Sequence, residues 1–325
     1  ERQTEDLILG NRLNDFLPEP KAMGKAVRLS DVHGRYIVFL KNAFPRHLSM
    51  EGMKIVLDTS NGATYRIAPD AFYEMGADVR VIHNTPDGVN INDRCGSQHT
   101  EDLRKAVLES GAAMGLAFDG DGDRLIAIDE KGRELTGDQV LIICASVMKK
   151  EGRLKNDLLV STVMSNLGLR VACKKFGFKH HASDVGDRNV LADMLRLGAV
   201  VGGEDAGHMI FLEHHKTGDG IIAAMQLIAA VMKEGKPLSE LSRLMDVFPQ
   251  KLINIDVKRK PELSGIPAVM EAIAQVEQAL GEEGRVLVRY SGTQNMCRIM
   301  VEGPSPELTD RYCRQIADVV KIEIG

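Results

Sequence analysis

Residues 115–132 read GLAFDGDGDRLIAIDEKG, which sets Asp119, Asp121 and Asp123 at alternate positions between two apolar runs. The flanking runs predict buried strands, so the aspartates fall in a strand-end loop. Three like charges this close repel one another, and a chain that gathers them needs a compensating cation. Gly and Asp are common in solvated turns, but three aspartates with two interleaved glycines are denser than such a turn requires. A calcium EF-hand loop would share the Asp-x-Asp-x-Asp opening and a glutamate at its twelfth position, here Glu130. Arg124, however, stands at the sixth position, where that loop turns on glycine, and residues 125–132 alternate like a strand where a helix is needed. A loop of few carboxylates, open on one side, suits magnesium, which keeps room for a phosphate oxygen. Arg124 beside it would complete an anion site.

Length and composition set the frame for that loop. At 325 residues the chain predicts two or three domains. Hydrophobic residues at 44% and charged residues at 27% give an ordinary globular balance. A net charge of -5 argues against a general nucleic-acid or membrane-surface binder, which carries a basic excess. Cys95, Cys144, Cys173, Cys297 and Cys313 are scattered and odd in number, with no C-x-x-C pair. That pattern fits reduced thiols of a cytoplasmic protein better than a disulfide framework or a zinc site. The longest apolar run, IIAAMQLIAAVM at 221–232, is too short to span a bilayer and reads as core. The first residues, ERQTEDLILG, lack a signal-peptide layout and read like the tail of a helix.

Along the chain, residues 31–44 have helical spacing, and 52–84 read as a βαβ unit with a Ser-Asn-Gly turn. Residues 100–112 predict a helix with Thr100 as N-cap and Gly111 as stop. A strand, a second Ser-Asn turn and a helix recur over 157–181, so Ser60-Asn61-Gly62 and Ser165-Asn166-Leu167-Gly168 mark a weak internal repeat. Residues 196–232 read strand, glycine-rich loop, strand, loop, long helix. From about 247 the order becomes β-α-β-β-α, an α+β module. The fold expected is α/β: two similar α/β domains, then a smaller C-terminal α+β domain. The boundaries are 1–14 for the tail of a preceding domain, 15–134 for the aspartate loop, 135–246 and 247–325.

Three more loops offer chemistry. GGEDAGH (202–208) puts Glu204 and His208 in a glycine-rich turn that admits a polar ligand, although a plain strand connection fits it equally. VRYSGTQNMCR (288–298) offers Arg289, Ser291, Thr293, Arg298 and the amides of the turn, an inventory that suits a phosphate monoester; a hairpin turn with exposed arginines is the alternative. DVGDRNV (184–190) sets Asp187 and Arg188 on a turn before a helix, where ion pairing between them is the simplest account. His180-His181 and His214-His215 lack metal-ligand spacing and read as surface or loop residues.

Taken together, FDGDGDR (118–124), GGEDAGH (202–208) and RYSGTQN (289–295) resemble, in order, the metal, sugar and phosphate loops of the α-D-phosphohexomutases. PDGVNINDRCGS (86–97) and TVMSNLG (162–168) are similar to the glucosamine branch of that family. The resemblance implies that glucosamine 6-phosphate and glucosamine 1-phosphate are interconverted on the route to cell-wall precursors. It implies that Asp119, Asp121 and Asp123 ligate Mg²⁺ and that Arg124 sits near the transferred phosphoryl group. Glu204, His208 and Arg188 would bind the sugar phosphate, and Arg289, Ser291, Gly292, Thr293 and Arg298 would grip the non-reacting phosphate. The expected partner is a phosphorylated amino sugar, with no nucleic acid and no membrane; pairing into a homodimer is left open.

The sequence also departs from the family. The phosphoserine loop, of Ser-His-Asn-Pro type, is missing from these residues, so the first domain is expected to lie outside them and the chain alone to be inactive. Asp205 and Ala206 stand where Gln and Ser are usual, Gln294-Asn295 where Glu-Pro is usual, and Asn189 where an aromatic is usual. These changes leave a phosphomannomutase or phosphoglucomutase, or a non-catalytic phosphosugar-binding protein, as alternatives.

Overall fold

The computed structural model describes residues 2–29, 31–291 and 294–325, and the chain divides into two units, 1–36 and 37–325. In the first unit, helix α1 (Arg2–Leu9) is followed by short 3₁₀ turns at Leu13–Phe16 and Pro20–Ala22, which bury none of their residues. Helix α2 (Val32–Ala43) runs across the division.

The second unit opens with β1 (Lys54–Asp58), α3 (Ile67–Glu74), β2 (Asp78–Ile82), α4 (Glu101–Ser110), β3 (Met114–Phe118), β4 (Leu125–Asp129) and β5 (Glu134–Leu135). The sheet order is β2-β1-β3-β4-β5, with β1 parallel to β2 and β3 and with β4 and β5 antiparallel. Strands β3 and β4 are buried at every position, which is why their sequence runs apolar rather than alternating.

A second sheet follows: α5 (Gly137–Lys150), β6 (Leu158–Thr162), α6 (Leu167–Phe176), β7 (Lys179–Ser183), α7 (Asp187–Leu197), β8 (Val201–Gly203) and β9 (Met209–Phe211), then α8 (Gly220–Glu234) and α9 (Leu238–Leu241). Its order, β7-β6-β8-β9, repeats β2-β1-β3-β4 strand for strand, including the final antiparallel hairpin. The internal repeat of the two Ser-Asn turns is therefore a repeat of topology. A capping box of Thr136 and Gln139 starts α5, and the Asp219 carboxylate starts α8 by accepting the amides of Ile221 and Ile222 at 3.0 Å each. Helix α8 is buried from Gly220 through Val231, the core role expected of its apolar run.

The last elements are β10 (Gln250–Asp256), α10 (Pro267–Leu280), β11 (Arg285–Tyr290), β12 (Met296–Glu302) and α11 (Pro306–Ile324). The antiparallel order is β10-β12-β11, and α10 and α11 pack Val269, Val276, Ile316 and Val320 against Ile299 and Val301. Arg285 pins this module to the turn after β6: its Nη1 donates to the Val163 carbonyl at 2.9 Å, its Nη2 to the Ser165 carbonyl, and its Nε pairs with buried Glu302.

Two expectations need correction. Thr100 precedes α4 but does not cap it with its side chain; its hydroxyl donates to Glu134 instead. His180 and His181 are neither loop nor fully exposed residues: both lie in β7, half-buried, with His180 Nε2 2.7 Å from Ser161 Oγ and His181 Nε2 2.8 Å from the Asp193 carboxylate. The five cysteines are free and buried, and among the described residues no helix is long and apolar enough to cross a membrane.

Candidate active site

The turn between β3 and β4 carries Asp119, Asp121, Asp123 and Arg124. Its shape comes from its own backbone: Asp119 Oδ1 accepts the Arg124 amide at 3.1 Å, and the Asp119 carbonyl accepts the Gly122 amide at 3.2 Å. The turn after β1 holds it in place. The Gly120 carbonyl accepts the Ala63 amide at 2.8 Å, and the chain passes so close that a Cβ on Gly62 would collide with Gly120.

An oxygen from each of the three aspartates lies within 4.8 Å of the others. Asp123 Oδ1 is buried without a hydrogen-bond partner. Burial, reinforced by Asp123, pushes the Asp119 carboxyl up to about 7. Hard oxygen donors that are crowded, partly dry and unsatisfied fit a magnesium ion, whose charge would relieve all three conditions. Arg124 Nε lies 3.6 Å from Asp119 and 3.7 Å from Asp123, too far for a hydrogen bond, and is buried without one. Its guanidinium therefore retains donors for an anion.

The turn between β8 and β9 carries Glu204 and His208, and the structure joins it to the aspartate turn. Arg124 and His208 form an antiparallel backbone bridge, and the Leu125 amide donates to the Gly207 carbonyl at 3.0 Å. The buried His208 ring places Nε2 3.5 Å from Asp123 Oδ2 and 3.9 Å from Asp187 Oδ2. Burial holds its pKa below the ordinary histidine value, so the ring is neutral at pH 7. Glu204 Oε1 accepts the Gly186 amide at 3.0 Å, which fixes its carboxylate against the start of α7, where Arg188 lies in the first turn.

The third loop stands on the C-terminal sheet. Arg289 of β11 is the register partner of Arg298 of β12, and Ser291 is buried at the strand end. Gly292 and Thr293 lie outside the described residues.

Several residues here escaped sequence reasoning. Asn92, Cys95, Ser97, Gln98, His99, Asp119 and Arg124 line one cavity of about 260 Å³, so the 92–99 segment forms a wall facing the aspartate turn. The PDGVNINDRCGS stretch (86–97), which resembles the glucosamine branch, supplies most of this wall. Beneath it Asp58, His83 and Cys95 also cluster within 4.8 Å. Here the carboxylate is already occupied: Oδ1 accepts the Ser60 amide at 2.9 Å, and Oδ2 meets the Gly96 amide and His83 Nδ1 at 3.0 Å each. Asp58 therefore locks together the segments that flank Gly120. Lys260, whose Nζ donates to the Ser291 carbonyl at 2.9 Å, was likewise invisible to motif reading.

Three family models match the chain in the order of these loops. Residues 34–132 match the phosphoglucomutase/phosphomannomutase alpha/beta/alpha domain II, residues 136–248 its alpha/beta/alpha domain III, and residues 252–319 its C-terminal domain. The chain belongs to the phosphoglucomutase/phosphomannomutase family. Within it, the chain is a homologue of the phosphoglucosamine mutases: it is 71% identical over 325 residues to that of Syntrophobacter fumaroxidans, covering 100% of this chain and 72% of that protein. With that of Syntrophus aciditrophicus it shares 61% over 321 residues, covering 99% and 72%. Among solved structures, a phosphoglucomutase/phosphomannomutase family protein of Burkholderia thailandensis matches with a TM-score of 0.77 at 18% identity, over 99% of this chain and 70% of that one. The Aspergillus fumigatus N-acetylphosphoglucosamine mutase, solved with GlcNAc-6P and magnesium, matches at 0.72 and 17%, over 89% and 70%. At such identities the structural matches show a common fold.

Proposed function

We propose that the chain carries the metal, sugar and phosphate loops of a magnesium-dependent phosphosugar mutase that interconverts glucosamine 6-phosphate and glucosamine 1-phosphate. The observation that carries this reading is the bridge between Arg124 and His208, which makes one continuous surface of the aspartate turn and the Glu204 turn. In this reading Asp119, Asp121 and Asp123 hold Mg²⁺, which when bound neutralises charge on the phosphoryl group in transfer. Arg124 orients that group with its unpartnered donors. Glu204, anchored on Gly186, and neutral His208 hydrogen-bond sugar hydroxyls, with Arg188 beside them at the start of α7. Arg289, Ser291, Gly292, Thr293 and Arg298 grip the phosphate that does not react, and that remote grip supplies binding energy used at the reacting centre.

The phosphoryl donor of this scheme is a phosphoserine, and the product of its transfer is a sugar bisphosphate that turns over and returns the other phosphoryl to serine. The Ser-His-Asn-Pro context of that serine does not occur in residues 1–325. For these residues alone the scheme implies binding without turnover. The magnesium and amino-sugar phosphate found with the Aspergillus protein support the ligand assignment.

Calorimetric titration with glucosamine 6-phosphate in Mg²⁺ tests the reading, with glucose 6-phosphate and Arg289→Ala as controls. Saturable binding that prefers the amino sugar and is lost in the variant supports it. A preference for glucose 6-phosphate reassigns the substrate to a 2-hydroxy sugar, and no binding at all defeats the claim that these loops form a working cleft.

A further inference from the structure

Asp138, in the first turn of α5, is completely buried. Its Oδ2 accepts the Asn166 amide at 2.7 Å, while its Oδ1 is buried with no hydrogen-bond partner. Asp205, in the sugar turn, presents a second buried and unpartnered oxygen, Oδ1, and its backbone is bonded next to Asp138, where the Gly137 amide donates to the Asp205 carbonyl at 2.9 Å. As carboxylates, neither can donate to the other, and two negative charges in contact inside a dry interface repel strongly. A single proton satisfies both orphaned oxygens at once.

The charged groups around the pair are mixed in sign. Glu302 of β12 adds to the field at the pair, although Arg285 of β11 is bonded to it and Arg170 of α6 lies near both. From α6, Cys173 faces Asp138 with its thiol pushed up to about 12, hence neutral. The Ser165 hydroxyl lies beside Asp138 as well and, as a donor, acts against the shift by favouring the ionised form. In the sugar turn itself, Glu204 is held by the Gly186 amide, and neutral His208 is directed at Asp123 and Asp187.

We propose that Asp138 is a neutral carboxylic acid that donates its proton from Oδ1 to Asp205, and that this shared proton seats the sugar turn on α5. Burial, followed by the charge of Asp205, holds Asp138 well above the usual carboxylate range. The seat is close-packed: the Gly137 amide donates to the Asp205 carbonyl at 2.9 Å, and a Cβ on Gly137 would strike the Glu204 carbonyl. Removing the proton sets two like charges against each other at this contact and lifts Glu204 and His208 from their positions. Asp138 is thus a positioning residue, and its effect on ligand binding rests on the sugar-binding reading above.

Two measurements test this, one of them independent of any sugar. Infrared difference spectra of the whole chain near neutral pH should show a protonated-carboxyl band that disappears in Asp138→Asn. In Asp205→Asn, an amide donates to an ionised Asp138, so the band should vanish there too while the chain stays folded. Glucosamine 6-phosphate affinity of the unmodified chain in Mg²⁺ should then fall about tenfold per pH unit above the titration of Asp138, as one-proton linkage requires, and Asp205→Asn should lack this component of the fall. Identical spectra in the unmodified chain and both variants, or identical pH profiles for the chain and Asp205→Asn, would overturn the proposal. A carboxyl band that behaves as described, with no sugar phosphate bound at any pH, would keep the shared proton and remove the sugar-binding reading.

Discussion

Arg289 and Arg298 stand directly opposite each other on neighbouring antiparallel strands, so two guanidinium groups share one face of the C-terminal sheet. Arg298 is also the register partner of Asn254 on β10, and its Nε is buried without a hydrogen-bond partner. Like charges placed opposite one another destabilise a sheet unless an anion lies between them.

Arg289→Ala should therefore act in opposite directions on the free and bound chain. Thermal unfolding of the free chain should move slightly upward, while phosphosugar affinity falls by about 2–5 kcal/mol, the usual cost of truncating one partner of a desolvated charge pair. Calorimetry and a thermal melt on the same sample check both signs.

Asp123 Oδ1 is buried and unsatisfied, so Asp123→Asn should stabilise the chain without metal and abolish its response to metal. For the unmodified chain, Mg²⁺ at 100 times its dissociation constant should add about 2.7 kcal/mol of stability. Denaturation with and without Mg²⁺ reads both; an equal metal response in chain and variant would remove Asp123 from the ligand set.

The Asp58 side chain supports the aspartate turn from behind, through the Ser60 and Gly96 amides. Asp58→Asn turns one acceptor into a donor facing the Gly96 amide or His83. Metal affinity, followed by Mn²⁺ spin-resonance titration, should fall about tenfold, as for other residues that support metal ligands from behind. Unchanged affinity in a folded variant would make the lock irrelevant to the metal.

His180 is depressed to about 4, chiefly by burial and then by Arg170, and the hydrogen bond to Ser161 suits its neutral ring. The unfolded chain takes up this proton below about 6.5 and the folded chain only near 4, so between these values the unfolded state binds more protons. Stability from this residue is complete above about 6.5 and is lost as pH falls, by about 1–2 kcal/mol at pH 5. Urea midpoints at pH 7.5 and 5 should converge in His180→Gln relative to the unmodified chain.

Much of the architecture was legible because each α/β unit writes its own pattern. The apolar runs of β3, β4 and β6 and the glycine stop at Gly111 are local signals, and the structure has each in place. The acidic turn was legible for the same reason, since Asp119, Asp121 and Asp123 are neighbours in sequence. What sequence could not show were pairings between distant segments. Nothing near Arg124 announces His208, and nothing near Asp138 announces Asp205. Thr100 has the chemistry of a cap, but Glu134 took its hydroxyl. His180 looked like a loop residue because paired histidines interrupt the apolar rhythm of β7, a strand at the sheet edge with only half-buried positions along most of its length.

The strand-for-strand match of β2-β1-β3-β4 with β7-β6-β8-β9 makes the two chemically loaded turns counterparts of each other. The same hairpin tip is thus built twice with different side chains: one carries Asp119, Asp121 and Asp123, the other Glu204, Asp205 and His208. Arg124 and His208 tie these tips together through their backbones. A backbone shift in one tip is therefore passed directly to the other, so the two turns form one mechanical unit although 84 positions separate Arg124 from His208 along the chain.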